Sequence, residues 1–449
     1  MPDGPEQLGV AVVGCGTVGG SVSRILTRDA DVLSARLSPT ILLRYLVDVD
    51  FTNAERLALP DKIFCKDLNK ALTDDSVGVV AELIGGTTVA KEVIEKALSA
   101  GKHVVTANKA LLAHHGTELY ALARANGVCI AFEASCAGAI PVVRAMCNGL
   151  VANRIDAVYG IVNGTCNYIL TAMTERGESY ADALAKAQSD GLAEADPTLD
   201  VAGIDSAHKL AILASLAFGK KIDFDAIPVE GIDNLELRDV AYGQELGYVV
   251  KLLAIAERQM APGGSEGITL RVRPVFISKS HPLAWVSGEF NAISVFGHVS
   301  GHTMYYGRGA GGMPTASSVV ADIASVATGI AQRTFEQLRI WPDLAGPANQ
   351  LPIGEITGRY YIRLTCQDKP GVLAKVAAVL GKHDISISSV LQHEPAPAGQ
   401  AEGVPVIVTT HRAKEGNLNK ALDEVDALNV IKAKSVRLDI VEQYPEPLE

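Results

Sequence analysis

Cysteine is scarce in this 449-residue chain: there are 7, an odd number scattered without a Cys-x-x-Cys pair. That excludes a disulfide framework and a structural zinc site, and it fits reduced thiols in a cytoplasm. Basic residues are outnumbered, Lys+Arg 40 against Asp+Glu 51 for a net charge of −11, which argues against nucleic acid or an anionic membrane as a partner. Long hydrophobic runs are absent too; residues 210–219 reach about half of the ~20 residues of a bilayer span. The opening MPDGPEQLG has neither a basic segment nor an apolar core, so no signal peptide is expected. Fixed-period repeats and low-complexity tracts are also lacking. What is there is the composition of a packed globular protein, 48% hydrophobic and 20% charged, with room for two to four domains at roughly 100–200 residues each.

Over residues 1–147, short β-rich runs alternate with helical ones, the rhythm of a parallel α/β sheet. Strands are expected at 9–14, 41–50, 78–85, 102–107 and 128–135, and helices at 17–29, 87–101 and 115–127. From residue 148 to 312 the pattern becomes α+β, with helices at 166–176, 180–190 and 200–218 and strands at 268–278, 291–297 and 302–309. A helix at 315–335, inside 313–340, is expected to return to the first domain. Residues 341–357 are rich in Pro and Gly and read as a linker, and 358–449 follow a βαββαβ order.

Gly14-Cys15-Gly16-Thr17-Val18-Gly19 lies between the first strand and the first helix. Three glycines at that spacing serve a tight turn, the approach of a pyrophosphate to the backbone, and close helix–strand packing. In that α/β context the pattern predicts a dinucleotide site rather than a ligand-free turn. Asp48, with Asp50 behind it, ends the second strand. A carboxylate there can hold a ribose 2′-hydroxyl and would repel a 2′-phosphate, which leans toward NAD, although Arg44 and Arg56 leave NADP open.

The stretch from Gly191 to Lys209 holds Glu194, Asp196, Asp200, Asp205 and Lys209. Asp205 and Lys209 are four residues apart on one helix face. On a surface such a pair is worth only ~0.5 kcal/mol, but between 201 and 218 they are the sole formal charges. So apolar a helix is mostly buried, and a partly desolvated lysine beside a carboxylate is suited to proton transfer. A second lysine, Lys109, follows the strand at 102–107, at the carboxyl edge where ligands bind in parallel sheets.

The stretches GCGTVG, ELIGG, TANKALL, FEASCAGAIPVV, VNGTCNYIL, GLAEADPTLDVAGIDSAHKL and GRGAGGMPTASSVVADI resemble those of homoserine dehydrogenase, over essentially the whole chain. CQDKPGVLAKVAAVL and HDISISSV resemble an ACT-type amino-acid-sensing domain. The resemblance implies a Rossmann-type first domain, a catalytic and dimerisation domain, and a C-terminal ACT domain without a fused kinase. It implies reversible hydride transfer between L-homoserine and L-aspartate 4-semialdehyde with NAD or NADP, in the threonine, methionine and isoleucine branch of amino-acid biosynthesis. It makes Lys209 the acid/base lysine, Asp205 its partner, and Lys109 a lysine beside nicotinamide and substrate. Glu194 would hold the substrate ammonium near Asp200, with Gly164 and Thr165 on the carboxylate. Gly85, Gly191 and Gly307 match cofactor contacts. A monovalent cation, sodium in the family, would lie on Glu133 and the carbonyls of Cys136, Gly138 and Ile140. The ACT loop at Asp368, Gly371 and Val372 would take L-threonine as inhibitor, in a homo-oligomer, dimer or tetramer; deleting residues after about 358 would then leave activity and abolish inhibition. One departure stands out: many relatives carry Arg-Asp at the end of the second strand, where this chain has VDVD, so a strong NADP preference does not follow. Two other readings stay open, another amino-acid-linked NAD(P) oxidoreductase with an ACT-type unit, and a non-catalytic nucleotide and amino-acid sensor.

Overall fold

The computed structural model describes residues 7–260, 264–393, 403–442 and 444; the reading of the first six residues lies outside them. Six parallel strands form the first sheet, in the order Phe64–Cys65, Thr40–Val47, Gln7–Val13, Val77–Glu82, His103–Thr106, Ile130–Ala131. Its central strand is buried on both faces from Leu8 to Val13, as a sheet covered by helices on either side requires. Helix Val89–Ser99 buries Ala90, Val93, Ile94, Ala97 and Leu98, the stripe its spacing predicts.

Two local readings change. The helix expected from residue 115 begins at Lys109, because the Asn108 side chain accepts from the Leu111 amide at 3.1 Å and caps it. The strand expected through residue 135 stops at Ala131, and Glu133–Ser135 turns as a 3-10 helix.

The rest of the chain builds a second sheet. Its strands run Gly301–Arg308, Phe290–Gly297, Ile155–Ile161, Tyr248–Met260, Glu266–Ser278, Ile431–Val441, Thr357–Cys366, Val404–Thr410, Ile387–Gln392. Strands Ile155–Ile161 and Tyr248–Met260 and helix Leu237–Glu245 were not anticipated. The first of these strands is buried at every position, so it carries no period-two signal. The predicted helix 200–218 is broken at Gly203, φ +83°, into Thr198–Val201 and Ile204–Phe218. The predicted helix 315–335 is broken at Gly329, φ +72°, into Gly312–Ala327 and Ile330–Gln337.

The βαββαβ unit is no separate bead. Its last strand pairs in parallel with Glu266–Ser278, with Asp439 opposite Val275 and Val441 opposite Ile277, so one sheet passes through both units. The stretch read as a linker is bound to strand Glu266–Ser278: the Ile268 amide donates to the Asn349 carbonyl at 2.8 Å and the Leu351 amide to the Ile268 carbonyl at 2.9 Å. Buried charges cross this seam. Arg273, 1% exposed, lies 3.0 Å from Asp439 and 3.2 Å from Glu415, and Arg363 lies 2.6 Å from Asp239. Deleting the unit would take Arg363 and Tyr361 from Asp239 and leave Arg273 only Glu230 at 3.2 Å, so the expectation that deletion spares activity meets a physical objection: removing one partner of a buried pair costs about 3–5 kcal/mol.

Candidate active site

At the turn after the first strand, the three glycines do three separate things. Gly14 has φ +104°, and a Cβ there would lie 2.7 Å from the Leu83 carbonyl oxygen. A Cβ on Gly19 would collide with the Gly14 carbonyl oxygen at 1.9 Å, so helix Thr17–Arg28 packs on its own turn only with glycine there. Gly16 faces open space and begins that helix without a side-chain cap, leaving its first amides to an anion. Asp48 accepts from the Cys15 amide, and its other oxygen accepts from Val49 at 2.6 Å. It therefore braces the turn from the second strand. Gly85, φ +81°, is likewise open. Below it, buried Glu82 accepts from the Gly85 amide at 3.2 Å and from the Thr106 hydroxyl at 2.7 Å, which ties neighbouring strand ends together.

The lysine–carboxylate cluster sits on helix Ile204–Phe218, buried almost all round. Asp205 is the hub. One oxygen meets Lys209 Nζ at 2.7 Å and Asn163 Nδ2 at 2.9 Å; the other meets Lys109 Nζ at 3.0 Å. Lys209 also donates to the Val162 carbonyl at 2.6 Å, so two of its three N–H donors are taken. Burial alone would push the Asp205 carboxyl up, but Lys209 and Lys109, with hydrogen bonds from Lys209 and Asn163, hold it below the usual carboxylate range. Asp205 in turn holds Lys109 above the ordinary lysine value, against burial. Asn163 organises the group: it also donates to Asp200 at 2.7 Å, and its oxygen caps helix Gly164–Arg176 by accepting from Cys166 at 2.8 Å. The sequence reading missed Asn163, although an Asn before a helix-forming run is an N-cap signal.

These groups line one cleft of about 700 Å³ between the two sheets. The chain fold brings Thr17, Val18, Lys109, Gly138, Gly164, Thr165, Gly191, Glu194, Asp200, Asp205 and Lys209 to its walls. Gly14, Gly16, Gly19, Asp48 and Gly85 do not form its wall. Neither does Gly307, which pairs with Asn291 in the sheet and faces Ile140; Arg308 to Gly311 line the cleft instead. Thr165 donates to the Leu192 carbonyl at 2.8 Å, pinning the loop that carries exposed Glu194. Asn291, buried in the wall with neither amide atom hydrogen-bonded, is a cleft residue that no motif flagged.

Glu133 is buried and accepts from the Val143 and Arg144 amides at 2.8 Å each. Its own amide donates to Asp322, which pairs with Arg144 at 3.0 Å. Burial pushes the Glu133 carboxyl up to about 7 and Asp322 up to about 6. Among the expected carbonyls, Gly138 accepts from the Ser318 hydroxyl at 2.7 Å and Ile140 from the Val142 amide at 2.8 Å. Among the described residues no group of three His, Cys, Asp or Glu side chains is placed to hold a metal, so any cation here depends on backbone oxygens. In the C-terminal unit, Asp368 and Gly371 are exposed at the entry to helix Val372–Lys382, with Gly371 at φ +85° and Val372 turned into the core.

Nicotinamide chemistry asks a protein for a seat for the pyrophosphate and a group that exchanges a proton with the substrate oxygen. The open helix start at Gly16 and the lysine–carboxylate cluster suit those two tasks, and they fit one class: an NAD(P)-dependent oxidoreductase. Residues 14–133 match the family model described as homoserine dehydrogenase, NAD binding domain, residues 141–324 that of homoserine dehydrogenase, and residues 360–427 the ACT domain. The chain is 43% identical over 436 residues to the homoserine dehydrogenase of Pseudomonas aeruginosa, covering 96% of this chain and 98% of that one. A homoserine dehydrogenase structure from Thiobacillus denitrificans matches with a TM-score of 0.90 at 39% identity, covering 98% of this chain and 99% of the other. A hyperthermophilic archaeal homoserine dehydrogenase in complex with NADPH matches with a TM-score of 0.58 at 25% identity, over 72% of this chain and 98% of that one. The chain belongs to the homoserine dehydrogenase family and carries an ACT domain at its C-terminal end. Among the described residues no helix is long and apolar enough to cross a membrane.

Proposed function

We propose that this chain interconverts L-homoserine and L-aspartate 4-semialdehyde, with Lys209 or Lys109, both held by Asp205, moving the proton. One observation carries the reading: a single buried carboxylate holds Lys209 and Lys109 together, 2.7 and 3.0 Å away, on the wall of the cleft. The open Gly16 and the uncapped amides of helix Thr17–Arg28 fit a dinucleotide pyrophosphate. The bound nicotinamide supplies or accepts the hydride. In the reducing direction a protonated lysine, Lys209 or Lys109, gives its proton to the oxygen of the carbonyl; Asp205 raises the proton affinity of Lys109. In the oxidising direction the same lysine receives the hydroxyl proton. The amides opening helix Gly164–Arg176, with Thr165, take the substrate carboxylate. Glu194 and Asp200 take its ammonium, so the reacting carbon is oriented before transfer.

Asp48, braced against the glycine turn, keeps negative charge by the second strand and supports a preference for NAD over NADP. The cation reading rests on charge as well as on oxygens: Glu133 and Asp322, both buried, face one guanidinium, that of Arg144. A sodium ion on Glu133 and the carbonyls of Cys136, Gly138 and Ile140 would balance the excess carboxylate. The exposed Asp368–Gly371 turn supports L-threonine as an effector of the ACT domain, in a homo-oligomer. Seven buried free cysteines fit a reducing cytoplasm. The deciding assay follows nicotinamide reduction with homoserine and either NAD+ or NADP+. Turnover that depends on homoserine and falls by ~10² or more in Lys209→Ala is expected. Absence of turnover with both cofactors would overturn the reading in favour of a sensor.

A further inference from the structure

The seam between the catalytic sheet and the ACT unit contains a second cavity, about 580 Å³, inside the ~300–1,000 Å³ range of small-molecule sites. The substrate cleft shares no lining residue with it. Its walls come from both units: Tyr159, Glu257 and Arg271 from the catalytic strands, and Arg359, Arg412, Asp439 and Glu442 from the ACT side. Arg271 is 6% exposed, donates from Nη1 to Glu257 at 3.0 Å, and holds its Nε–H 3.6 Å from Asp439, an ion pair too long for a hydrogen bond. A buried guanidinium donor left unsatisfied is costly, and an acceptor in the cavity would relieve it. Glu257 and Asp439, the ion-pair partners of Arg271, bring carboxylates to the same lining. A lining that offers guanidinium donors and carboxylates together suits a ligand carrying both charges rather than a simple anion or cation.

We propose that this seam cavity is a binding site for a small L-α-amino acid, its carboxylate on Arg271 and Arg412 and its ammonium on Glu257 and Asp439. The site is independent of the Asp368–Gly371 turn and of the substrate cleft. A route for its influence is built in. Tyr159, hydrogen-bonded to Glu257, lies on strand Ile155–Ile161, and the next two residues of the chain are Val162 and Asn163. Val162 accepts from Lys209 and Asn163 holds Asp205 and Asp200. A ligand that draws Glu257 or Arg271 toward itself pulls on a strand whose end is the floor of the active site, about 10 Å away along the chain.

The test uses the full chain and the L-α-amino acids other than homoserine, added singly, with acetate and ethylamine as half-probes. Thermal shift and initial rates are the readouts. At least one amino acid should raise Tm by about 2 °C or more, while acetate and ethylamine should not. Arg412→Glu, a rim change that leaves basal turnover intact, and Arg271→Lys, which keeps the charge but removes Nε–H, should each weaken that binding roughly tenfold or more. Asp368→Ala and Glu194→Gln should leave it unchanged. The proposal is overturned if no amino acid shifts Tm, if acetate alone shifts it equally, or if the shift survives Arg412→Glu and disappears in Asp368→Ala or Glu194→Gln. Homoserine turnover, measured in every variant, reports separately on the catalytic reading.

Discussion

Two clusters of buried opposite charges dominate this molecule, and they are built differently. On the cleft wall, one carboxylate serves two lysines. At the seam, Arg271, Arg273, Arg363 and Arg437 are matched by Glu415, Asp439, Asp239, Glu236 and Glu230. Lysine is a point charge whose proton affinity moves with its surroundings, whereas a guanidinium stays charged and offers a planar fork of donors. The first cluster is therefore suited to exchanging a proton with something in the cleft, and the second to fixing one unit against another. A different cation does a different job.

Breaking the seam should give the largest effect. Removing residues after 358 exposes the edge of strand Glu266–Ser278, takes Tyr361 and Arg363 from Asp239, and leaves Arg273 with Glu230 alone. The truncated chain should lose most of its cooperative urea unfolding transition, and Arg273→Ala in the full chain should cost about 3–5 kcal/mol. A truncation that unfolds with the midpoint of the full chain would erase the distinction between the clusters. Lys209→Ala should do the converse, lowering kcat by ~10²–10⁴ with little change in the unfolding midpoint; near-normal turnover would remove Lys209 from the chemistry. Asp205→Asn sharpens the contrast further. Without the carboxylate that holds Lys109 high, that lysine loses its proton more readily, so the alkaline limb of the pH–rate profile for aldehyde reduction should move to lower pH. An unmoved limb would mean that the pair does not set the proton.

A third carboxylate pair, Glu133 and Asp322, gives a smaller, pH-dependent effect. Their folded values, about 7 and about 6, lie above those of an unfolded chain, near 4. Their contribution is therefore full below pH ~4 and is lost as pH rises through 6 to 7. At pH 8 sodium chloride should raise Tm by about 1–3 °C over the same concentration of choline chloride, with no difference at pH 4 and none in Glu133→Gln. Equal Tm values in both salts at pH 8 would leave Glu133 without an ion. Smallest is Glu194→Gln, expected to raise KM for homoserine roughly tenfold with kcat nearly unchanged. An equal loss on 4-hydroxybutyrate, which lacks the amine, would exclude an ammonium contact.

The parts legible in the sequence are those whose partners lie close along the chain. The glycine turn could be read because strand, turn and helix are consecutive. Asp205 and Lys209 could be paired because four residues make one helical turn. Asn163, Glu82 and Asp322 could not, because each acts on a residue far along the chain: Asn163 on Asp205, Glu82 on Thr106, Asp322 on Glu133. The strand Ile155–Ile161 escaped notice for a related reason, since burial on both faces removes the alternation that marks a strand.

By itself the sequence determined the class of nucleotide fold, the pairing of Asp205 with Lys209 and the order of the C-terminal unit, since local spacing fixes which side chains share a face. Only the tertiary structure decided that Lys109 joins that pair, that Asn163 holds its carboxylate, and that the ACT unit extends the catalytic sheet. Those outcomes depend on strand pairing and on burying charges against partners more than thirty residues away, and no pattern along the chain encodes which distant charge will be there.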